Sequence, residues 1–507
     1  MSRELSRQRS RKGTTGIKQP PWRRLRNPYR PIEVLSADEL EAIHEASLDV
    51  LENHGIEFLS NGALDRLARA GATVDRATKI VRFDRGLVLE KVALAPSTFT
   101  LTPLRPERAV TFGANHINFG SVGGPPNVTD LDRGRRPGNY ADLCDVVRVI
   151  HSLNVVHVLG GIAVAPIELD AETRHLDCNY AFLTLSDRVW HATGLGRHRA
   201  ADAVDMMCVA RGVDRDGLGR DPSLLTTINA NSPRRYDGPM LDGLEEMAGA
   251  GQAVSITPFT LLGAMSPVTI AGALTQQNAE ALAGITYVQL VRPGNPVFYG
   301  GFTSNVDMKT GAPAFGTPEY AKAVLAGGQL ARRYGLPYRS SNVNASNEAD
   351  AQAAYESEMS IWAVVMGHAN LVHHGVGWLE GGLTASYEKL VLDAEMLQMM
   401  AAFMDRIDVS KDSLAVDAIA DVPPGGHFFG AAHTLERYET AFYAPLVSDW
   451  RNFETWREAG AFNATQRANA IWKELLRAYT PPAIDPAVDE ALRAFMARRR
   501  LELAAAA

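Results

Sequence analysis

Between residues 117 and 404, short apolar stretches alternate with longer stretches in which apolar residues recur at helical spacing. The short stretches predict eight β-strands, at Ile117–Val122, Val155–Leu159, Arg188–Ala192, Leu224–Asn229, Ala253–Thr257, Pro296–Gly300, Leu336–Ser340 and Asn370–His374. The longer stretches predict eight α-helices, at Tyr140–Leu153, Ala171–Leu185, Arg199–Arg211, Pro239–Ala250, Thr269–Val291, Pro318–Tyr334, Asp350–Gly367 and Ser386–Met404. Eight strand–helix units in strict alternation predict an α/β protein built on a closed (β/α)8 TIM barrel.

An open, doubly wound sheet is the alternative architecture for alternating strands and helices. In a dinucleotide-binding sheet, a glycine-rich turn follows the first strand and leads straight into a helix. Here the glycine-rich stretch Gly120–Gly124 is followed by two prolines and by no immediate helix. The pattern therefore favours the barrel.

Regions without this alternation flank the predicted barrel on both sides. We divide the chain into a basic flexible arm, an N-terminal α+β cap, the barrel as catalytic domain and a mostly helical C-terminal extension, at residues 1–34, 35–114, 115–405 and 406–507. The cap opens on a predicted helix from Ser36 to His54, where Ser36 and Glu39 have the spacing of a capping box.

Composition restricts the class of protein. Apolar residues make up 46% of the chain, yet no run of about 18 of them occurs, which excludes a membrane span. Cys144, Cys178 and Cys208 lie far apart on predicted helices and form no CxxC motif. We therefore expect reduced thiols and a cytoplasmic protein.

Charge is distributed unevenly along the chain. Residues 1–31 hold ten Lys or Arg and one Glu, a net charge of +9, so the remainder carries −16 (−7 minus +9). A basic arm could bind nucleic acid, but an acidic body argues against a nucleic-acid surface. The arm is more typical of a flexible leader or of a strap over a neighbouring subunit. The N-terminal cap and the C-terminal extension lead us to expect a homo-oligomer.

In barrels of this type the active site lies where the strands lead into the helices. Those junctions are rich in glycine, amide and aromatic side chains and hold few acids. The first strand lacks a His-x-His pair and no strand end carries paired carboxylates, which argues against metal-dependent hydrolysis and glycoside hydrolysis. We expect a cavity shaped around a cation, with no metal bound by this chain.

Aromatic and histidine side chains are the first candidates for this cavity. Phe259, Phe302 and Trp378 follow strands and are candidate walls around an ammonium group, although packing at the barrel rim is the alternative. His373 and His374 are adjacent on one strand, where neighbouring side chains face opposite sides, so at most one should point inward. We assign His374 as a catalytic-site hydrogen-bond donor to a substrate carboxylate.

Polar and acidic side chains complete the list of candidates. His191, Asn231 and Asn344 lie at strand ends and are assigned to substrate binding. Glu380 follows the last strand beside Trp378 and could balance the charge of an ammonium group. A solvent-exposed position on the loop is the alternative for Glu380.

Several separate motifs keep their order along the chain and carry a family resemblance. They are Asp307-Met-Lys-Thr-Gly311, Gly316-Thr-Pro-Glu319, Asp350-Ala-Gln352, Gly381-Gly-Leu383, Ser386-Tyr-Glu-Lys-Leu390, Gly425-Gly-His427 and His433-Thr434. In these motifs the chain resembles the trimethylamine methyltransferase family, from about residue 35 to 480. The resemblance implies a methyltransferase that moves a methyl group from an N-methylated amine to a corrinoid.

One position departs from the family pattern. Members that act on trimethylamine carry pyrrolysine three residues before the Asp of the Asp-x-Gln motif, and Asn347 stands there in this chain. The chain is therefore similar to the branch without pyrrolysine, some members of which demethylate quaternary amines such as glycine betaine. We expect Asn347 to line the catalytic cavity, the alternative being a helix N-cap with Asp350 three positions on.

Quaternary amines suit a site without acids, because their leaving group is already a neutral tertiary amine. The enzyme then needs to hold the cation, align its methyl group with Co(I) and exclude water. No Asp-x-His-x-x-Gly motif for ligating a corrinoid occurs in the chain, so the corrinoid is expected on a separate partner protein. The alternatives are a non-catalytic barrel that binds betaine or a corrinoid protein as sensor or scaffold, and a phosphate-binding lyase using Gly375-Val-Gly377.

Overall fold

The computed structural model describes residues 16–506, and its centre is a closed parallel barrel. The strands are β1 His116–Ser121, β2 Val158–Leu159, β3 Val189–His191, β4 Leu224–Ile228, β5 Ala253–Ile256, β6 Val297–Gly300, β7 Tyr338–Ser341 and β8 Leu371–Val376. Each strand pairs with the next, and β8 returns to pair with β1, with Leu371 opposite Asn118 and Val372 opposite Phe119. The prediction of a closed eight-stranded barrel is confirmed.

One long helix follows each strand, as the periodicity predicted. The helices are α1 Tyr140–Ser152, α2 Arg174–Leu185, α3 Arg197–Arg211, α4 Gly238–Gly249, α5 Ile270–Val291, α6 Pro318–Arg333, α7 Ala351–Met366 and α8 Tyr387–Phe403. Several of them begin at a side chain that caps the first turn, such as Asn139 for α1, Thr317 for α6 and Ser386 for α8. A short helix at Arg215–Arg220 was not predicted.

The N-terminal cap packs on the outside of the barrel, against α5 and the loop before α4, and its last hairpin closes the end of the barrel where the strands begin. It comprises helices Ala37–Asp49, Asn61–Arg69 and Arg85–Val92, a π-helical turn Val50–His54, and strands Ile56–Phe58, Thr73–Asp75, Ile80–Arg82, Thr98–Leu101 and Val110–Gly113. Phe99 and Phe112 of its hairpin pack edge-on against Phe298 of β6, with ring centroids 5.0 and 4.9 Å apart. Because this aromatic plug fills the bottom of the barrel, a ligand can enter only from the opposite end.

Residues 16–34 lie against the body instead of forming a flexible arm. Leu25–Arg26 pairs antiparallel with β1, and Arg23 forms an ion pair with Asp405 at 2.7 Å. The Tyr29 hydroxyl donates to the carbonyl of Phe403 at 2.8 Å. The basic residues before position 16 lie outside the described residues.

The C-terminal extension packs only partly on the barrel. Its helices are Lys411–Leu414, Val416–Asp421, Ala432–Leu435, Phe453–Glu458, Ala464–Ala478 and Pro486–Ala506. The fifth packs on α8, where the ring centroids of Trp472 and Tyr387 lie 4.6 Å apart. Within residues 16–506, no helix is both long and apolar enough to cross a bilayer.

Two small sheets at the strand ends build the rim of the barrel mouth. They comprise strands Phe259–Leu262, Phe302–Val306 and Pro313–Ala314 in one, and Asn127–Thr129, Arg136–Pro137, Trp378–Leu379 and Thr384–Ser386 in the other. The sequence pattern did not predict them, because each strand is only two to five residues long.

Candidate active site at the barrel mouth

A cavity of about 590 Å³ opens at the carboxyl ends of the strands. Its lining consists of Gly123, Gly124, Gly160, Gly161, Ile162, Ala165, Arg174, His191, Thr193, Gly194, Leu195, Thr227, Asn229, Met240, Thr257, Phe259, Phe302, Arg339, His373, His374, Trp378, Gly381, Gly382 and Leu383. The volume is typical of a small-molecule site. The lining contains no Asp or Glu.

Glycines at the ends of the first strands leave this part of the cavity free of side chains and let the neighbouring backbones approach each other closely. A Cβ atom at Gly160 would lie 1.9 Å from the carbonyl oxygen of Ser121, which is far inside contact distance. Gly161 has a φ of +107°, and a Cβ there would lie 3.2 Å from Nδ1 of His191. Side chains at either position would therefore displace β1 or the His191 ring.

Aromatic rings form one wall of the cavity. Phe302 lies 5.1 Å from Phe259 and 6.3 Å from Trp378, measured between ring centroids. The imidazole of His374 lies 4.1 Å from Trp378 and 6.2 Å from Phe302. Phe259, Phe302 and Trp378, which the sequence suggested as cage walls, thus lie side by side on this wall.

Both members of the His373–His374 pair line the cavity, which corrects the expectation that at most one faces inward. His374 has a φ of +56°, and β8 changes register between Val372 and Val376. A left-handed residue breaks the alternation of side chains along a strand. The two imidazoles therefore lie on the same side, with centroids 4.1 Å apart.

The three cavity histidines are neutral at pH 7. Burial, with the nearby Arg339 as a further cause, lowers the pKa of His191 to about 4. Burial also holds the pKa values of His373 and His374 well below the ordinary range. Nε2 of His191 and Nδ1 of His373 and His374 have no hydrogen-bond partner among the described residues.

Arg339 on β7 is the functional candidate that sequence reasoning missed. Its side chain is only 3% exposed, and Nε and Nη1 have no hydrogen-bond partner in the described part of the chain. Its Cζ lies 5.9 Å from the centroid of Phe302. Burial lowers its pKa to about 10, so it remains a cation at neutral pH. An arginine on a strand that is buried along its whole length was the one signal that pointed to it.

Two predicted substrate contacts lie outside the cavity lining. Asn231 is exposed, and its Oδ1 accepts a hydrogen bond from the backbone N–H of Asp237, so it shapes a turn. Asn344 is buried behind the aromatic wall, where its Nδ2 donates to the carbonyl of Trp378 at 2.7 Å. Nε1 of Trp378 donates to the carbonyl of Asn344 at 3.2 Å, so Asn344 positions the Trp378 ring.

Glu380 does not line this cavity. Its carboxylate accepts a hydrogen bond from Nε of Arg135 at 2.8 Å, and that ion pair already balances its charge. Glu380 lines a second cavity of about 1200 Å³, beside α8 and the C-terminal extension, which shares no lining residue with the first. The structure therefore gives Glu380 no position from which to balance an ammonium ion in the mouth cavity.

Asn347 is exposed and also lines the second cavity. Nor is it the N-cap of α7: that cap is Asp350, whose carboxylate accepts from the backbone N–H of Ala353 at 3.0 Å. Both readings of Asn347 are thus corrected, because the loop between β7 and α7 directs this residue away from the mouth.

The structure also argues against Gly375-Val-Gly377 as a phosphate-binding loop. The backbone N–H of Gly377 donates to Oδ2 of Asp393 at 2.8 Å. An internal carboxylate therefore occupies the place where a phosphate would have to bind.

Side chains that could share a metal ion occur away from the mouth, on the first cap helix. Glu41, His44 and Glu45 lie close enough together to do so. Both acids already form ion pairs with arginines, and Nδ1 of His44 lies 2.7 Å from the hydroxyl of Tyr334. This group is explained by packing and ion pairing.

The mouth cavity has the place and size of a small-molecule site in a barrel enzyme. Its lining consists of aromatic rings, neutral imidazoles and a buried guanidinium, and contains no acids. Comparison with known proteins names the family. The family model described as "Trimethylamine methyltransferase (MTTB)" matches residues 2–504. The chain belongs to this family and is a methyltransferase.

Characterised relatives cover most of the chain. A "Glycine betaine methyltransferase" of Desulfitobacterium hafniense is 36% identical over 471 residues, which is 93% of this chain and 98% of that protein. "Trimethylamine methyltransferase MttB" of the same species is 30% identical, over 91% of this chain and 92% of that protein. A "Proline betaine:corrinoid methyltransferase" of Eubacterium limosum is 29% identical, over 78% of this chain and 82% of that protein.

Proposed function

We propose that this chain transfers a methyl group from a quaternary N-methylated amine of the glycine betaine type to the Co(I) corrinoid of a separate protein. The family and the names of the relatives support methyl transfer from a methylated amine. The observation that carries the choice of a quaternary amine is the absence of a proton donor from the lining of the mouth cavity.

Each titratable group in the lining is unsuited to act as a general acid near pH 7. The three histidines hold no proton to give, because burial lowers their pKa values. Arg339, with a pKa of about 10, does not release its proton at this pH. A quaternary amine leaves as a neutral tertiary amine, whereas a neutral tertiary amine would leave as an anion unless it were first protonated.

The residues at the mouth would hold the substrate and exclude water. Phe259, Phe302 and Trp378 supply ring faces that attract a quaternary ammonium, and burial strengthens that attraction. In the reaction the carbon–nitrogen bond breaks with its electron pair left on nitrogen, and the methyl carbon bonds to cobalt, which goes from Co(I) to Co(III). The bottom of the barrel is plugged, so the acceptor must approach from the mouth.

Single-turnover demethylation tests the proposal. The protein is mixed with chemically reduced cobalamin, as a stand-in for the partner's corrinoid, and with glycine betaine or trimethylamine. We expect dimethylglycine, measured by NMR, to form in step with the loss of the Co(I) absorption, and no reaction with trimethylamine. A protein-free mixture is the control for uncatalysed transfer.

The alternative of a betaine sensor gives a different result in the same experiment. A sensor would bind glycine betaine, seen as a raised melting temperature, yet form no dimethylglycine with the corrinoid. Turnover of trimethylamine without turnover of any quaternary amine would refute the proposed substrate type.

A further inference from the structure

Arg339 is a buried cation inside a cavity that should receive another cation. Its side chain is 3% exposed, and no carboxylate lines the cavity around it. Tyr320 and Tyr338, which influence the pKa of Arg339, supply no counter-charge near pH 7, because burial raises their own pKa values and keeps their hydroxyls neutral. An unpaired guanidinium is costly to bury, and it would repel a ligand that carried only a positive charge.

The other buried arginine among the described residues has a partner. Arg188 is 2% exposed, and burial lowers its pKa to about 10, as for Arg339. It forms an ion pair with Asp187 at 3.1 Å and donates to the carbonyl of His151. The comparison shows that burial alone does not leave an arginine unpaired in this fold.

The geometry points to Arg339 as the anchor for the carboxylate of a zwitterionic substrate, so that the enzyme selects betaines over methylated cations that lack an anionic group. This inference rests on the proposed function and adds the residue and the chemical feature that decide specificity. Arginine binds a carboxylate through two parallel N–H donors on one edge of its guanidinium, either Nη1 and Nη2 or Nε and Nη2. Nη1 and Nε of Arg339 belong one to each of these edges, and neither has a partner among the described residues.

The position of Phe302 fits a short zwitterion. Its ring centroid lies 5.9 Å from Cζ of Arg339 and 6.3 Å from the ring centroid of Trp378. A ligand whose carboxylate meets Arg339 therefore places an ammonium group, one methylene away, near the aromatic wall. His191, His373 and His374 are neutral and lie close enough to Arg339 for its charge to affect their pKa values, so each can donate an N–H to the same carboxylate without adding a second charge.

Arg174 at the rim strengthens the same electrostatic bias. It lines the cavity, is half-buried and has no ion pair in the described part of the chain. Two cations and no acid give the mouth a positive potential, which attracts a carboxylate and opposes a lone ammonium.

A binding experiment without corrinoid can measure what each charge of the substrate contributes to affinity. It uses four ligands of nearly equal shape that differ in the charges they carry. Glycine betaine carries both charges, choline only the ammonium, 3,3-dimethylbutanoate only the carboxylate, and 3,3-dimethylbutan-1-ol neither. Calorimetry on the full-length protein should give the tightest Kd for glycine betaine, with 3,3-dimethylbutanoate tighter than choline. Equal affinity for glycine betaine and choline would overturn the inference without any mutation.

Variants then assign the effect to Arg339. Arg339→Gln should weaken glycine betaine binding about 100-fold or more, the scale seen when one partner of a buried charge pair is removed. It should leave choline binding unchanged or tighter, because a repulsive charge is gone. Arg339→Lys should recover part of the affinity for both carboxylates.

Stability distinguishes an anchor from a structural residue. Arg339→Gln should not lower the melting temperature of the ligand-free protein, because it removes an uncompensated charge. The matched control Arg188→Gln should lower it, because Asp187 loses its partner, and should retain the wild-type preference for glycine betaine over choline. A destabilised or unfolded Arg339→Gln variant would make Arg339 structural and overturn the inference.

The outcomes also separate this inference from the proposed function. If glycine betaine binds through Arg339 but no methyl transfer follows, the proposed function fails and the carboxylate site stands. If methyl transfer occurs and Arg339→Gln affects only the dependence on corrinoid concentration, the proposed function stands and Arg339 serves the acceptor instead.

Discussion

A buried ion pair supports the exit of β8, close to the mouth cavity. Lys389 and Asp393 on α8 are 1% and 0% exposed and are bonded to each other. Oδ2 of Asp393 also accepts from the backbone N–H of Gly377 at 2.8 Å, and Nζ of Lys389 donates to Oγ of Ser357 at 2.7 Å. Gly377 lies three residues after His374, so the pair fixes the backbone that carries the cavity histidines.

Asp393→Leu removes the counter-ion of a fully buried ammonium and the acceptor of a buried N–H. Breaking a buried pair from one side costs about 3–5 kcal/mol of unfolding free energy. The double variant Lys389→Met, Asp393→Leu removes both charges and leaves mainly the unpaired backbone N–H of Gly377. That unpaired donor should lower the unfolding free energy by about 1–3 kcal/mol. We therefore expect the double variant to be more stable than the single one, by about 2 kcal/mol.

Urea denaturation followed by tryptophan fluorescence measures this difference as a shift in midpoint. Asp65→Leu is the control, because its ion pair with Arg76 is exposed on both sides and is worth at most about 1 kcal/mol. Demethylation measured in parallel should fall in the single variant as the β8 exit loses its anchor. Equal midpoints for the single and double variants would show that the charges are not coupled and would refute the reasoning.

Four further predictions concern the mouth and its surroundings. Trp378→Leu should weaken glycine betaine binding by roughly 3- to 30-fold in calorimetry, the range of a buried cation–π contact; an unchanged Kd would place the ammonium elsewhere. The Kd of glycine betaine should stay flat between pH 6 and 9 and rise above pH 10, because His191 has a pKa of about 4 and Arg339 loses its proton at about 10. The pKa of His191 is lower in the folded protein than its ordinary value of 6.5, so the unfolded chain binds a proton at a higher pH than the folded one. His191 should therefore make the melting temperature fall as the pH drops from 6.5 towards 4. Asn347→Leu should change demethylation less than twofold, while Asp350→Ala should lower the unfolding free energy by about 1 kcal/mol; a tenfold loss of turnover in Asn347→Leu would return that residue to the site.

The sequence by itself determined the barrel. Strands that are buried on both faces are apolar throughout, and helices that cover them carry an apolar stripe, so both kinds of element leave a local pattern. The predicted strand and helix bounds agree with the structure to within a few residues, and Ser36 and Glu39 form the predicted capping box. The position of the three aromatic residues could be predicted for a similar reason. A residue that follows a strand can be recognised from the local pattern, and in a barrel such residues lie at the mouth.

Tertiary structure alone decided which polar residues belong to the mouth. The charge of Glu380 is balanced by Arg135, 245 positions away, whereas Arg339 has no such partner among the described residues. No local pattern in the sequence distinguishes a paired charge from an unpaired one. His373 and His374 share a side because of one left-handed residue, which periodicity cannot encode. Charge balance and cavity shape depend on groups brought together from distant parts of the chain, so the site's chemistry became visible only in the folded protein.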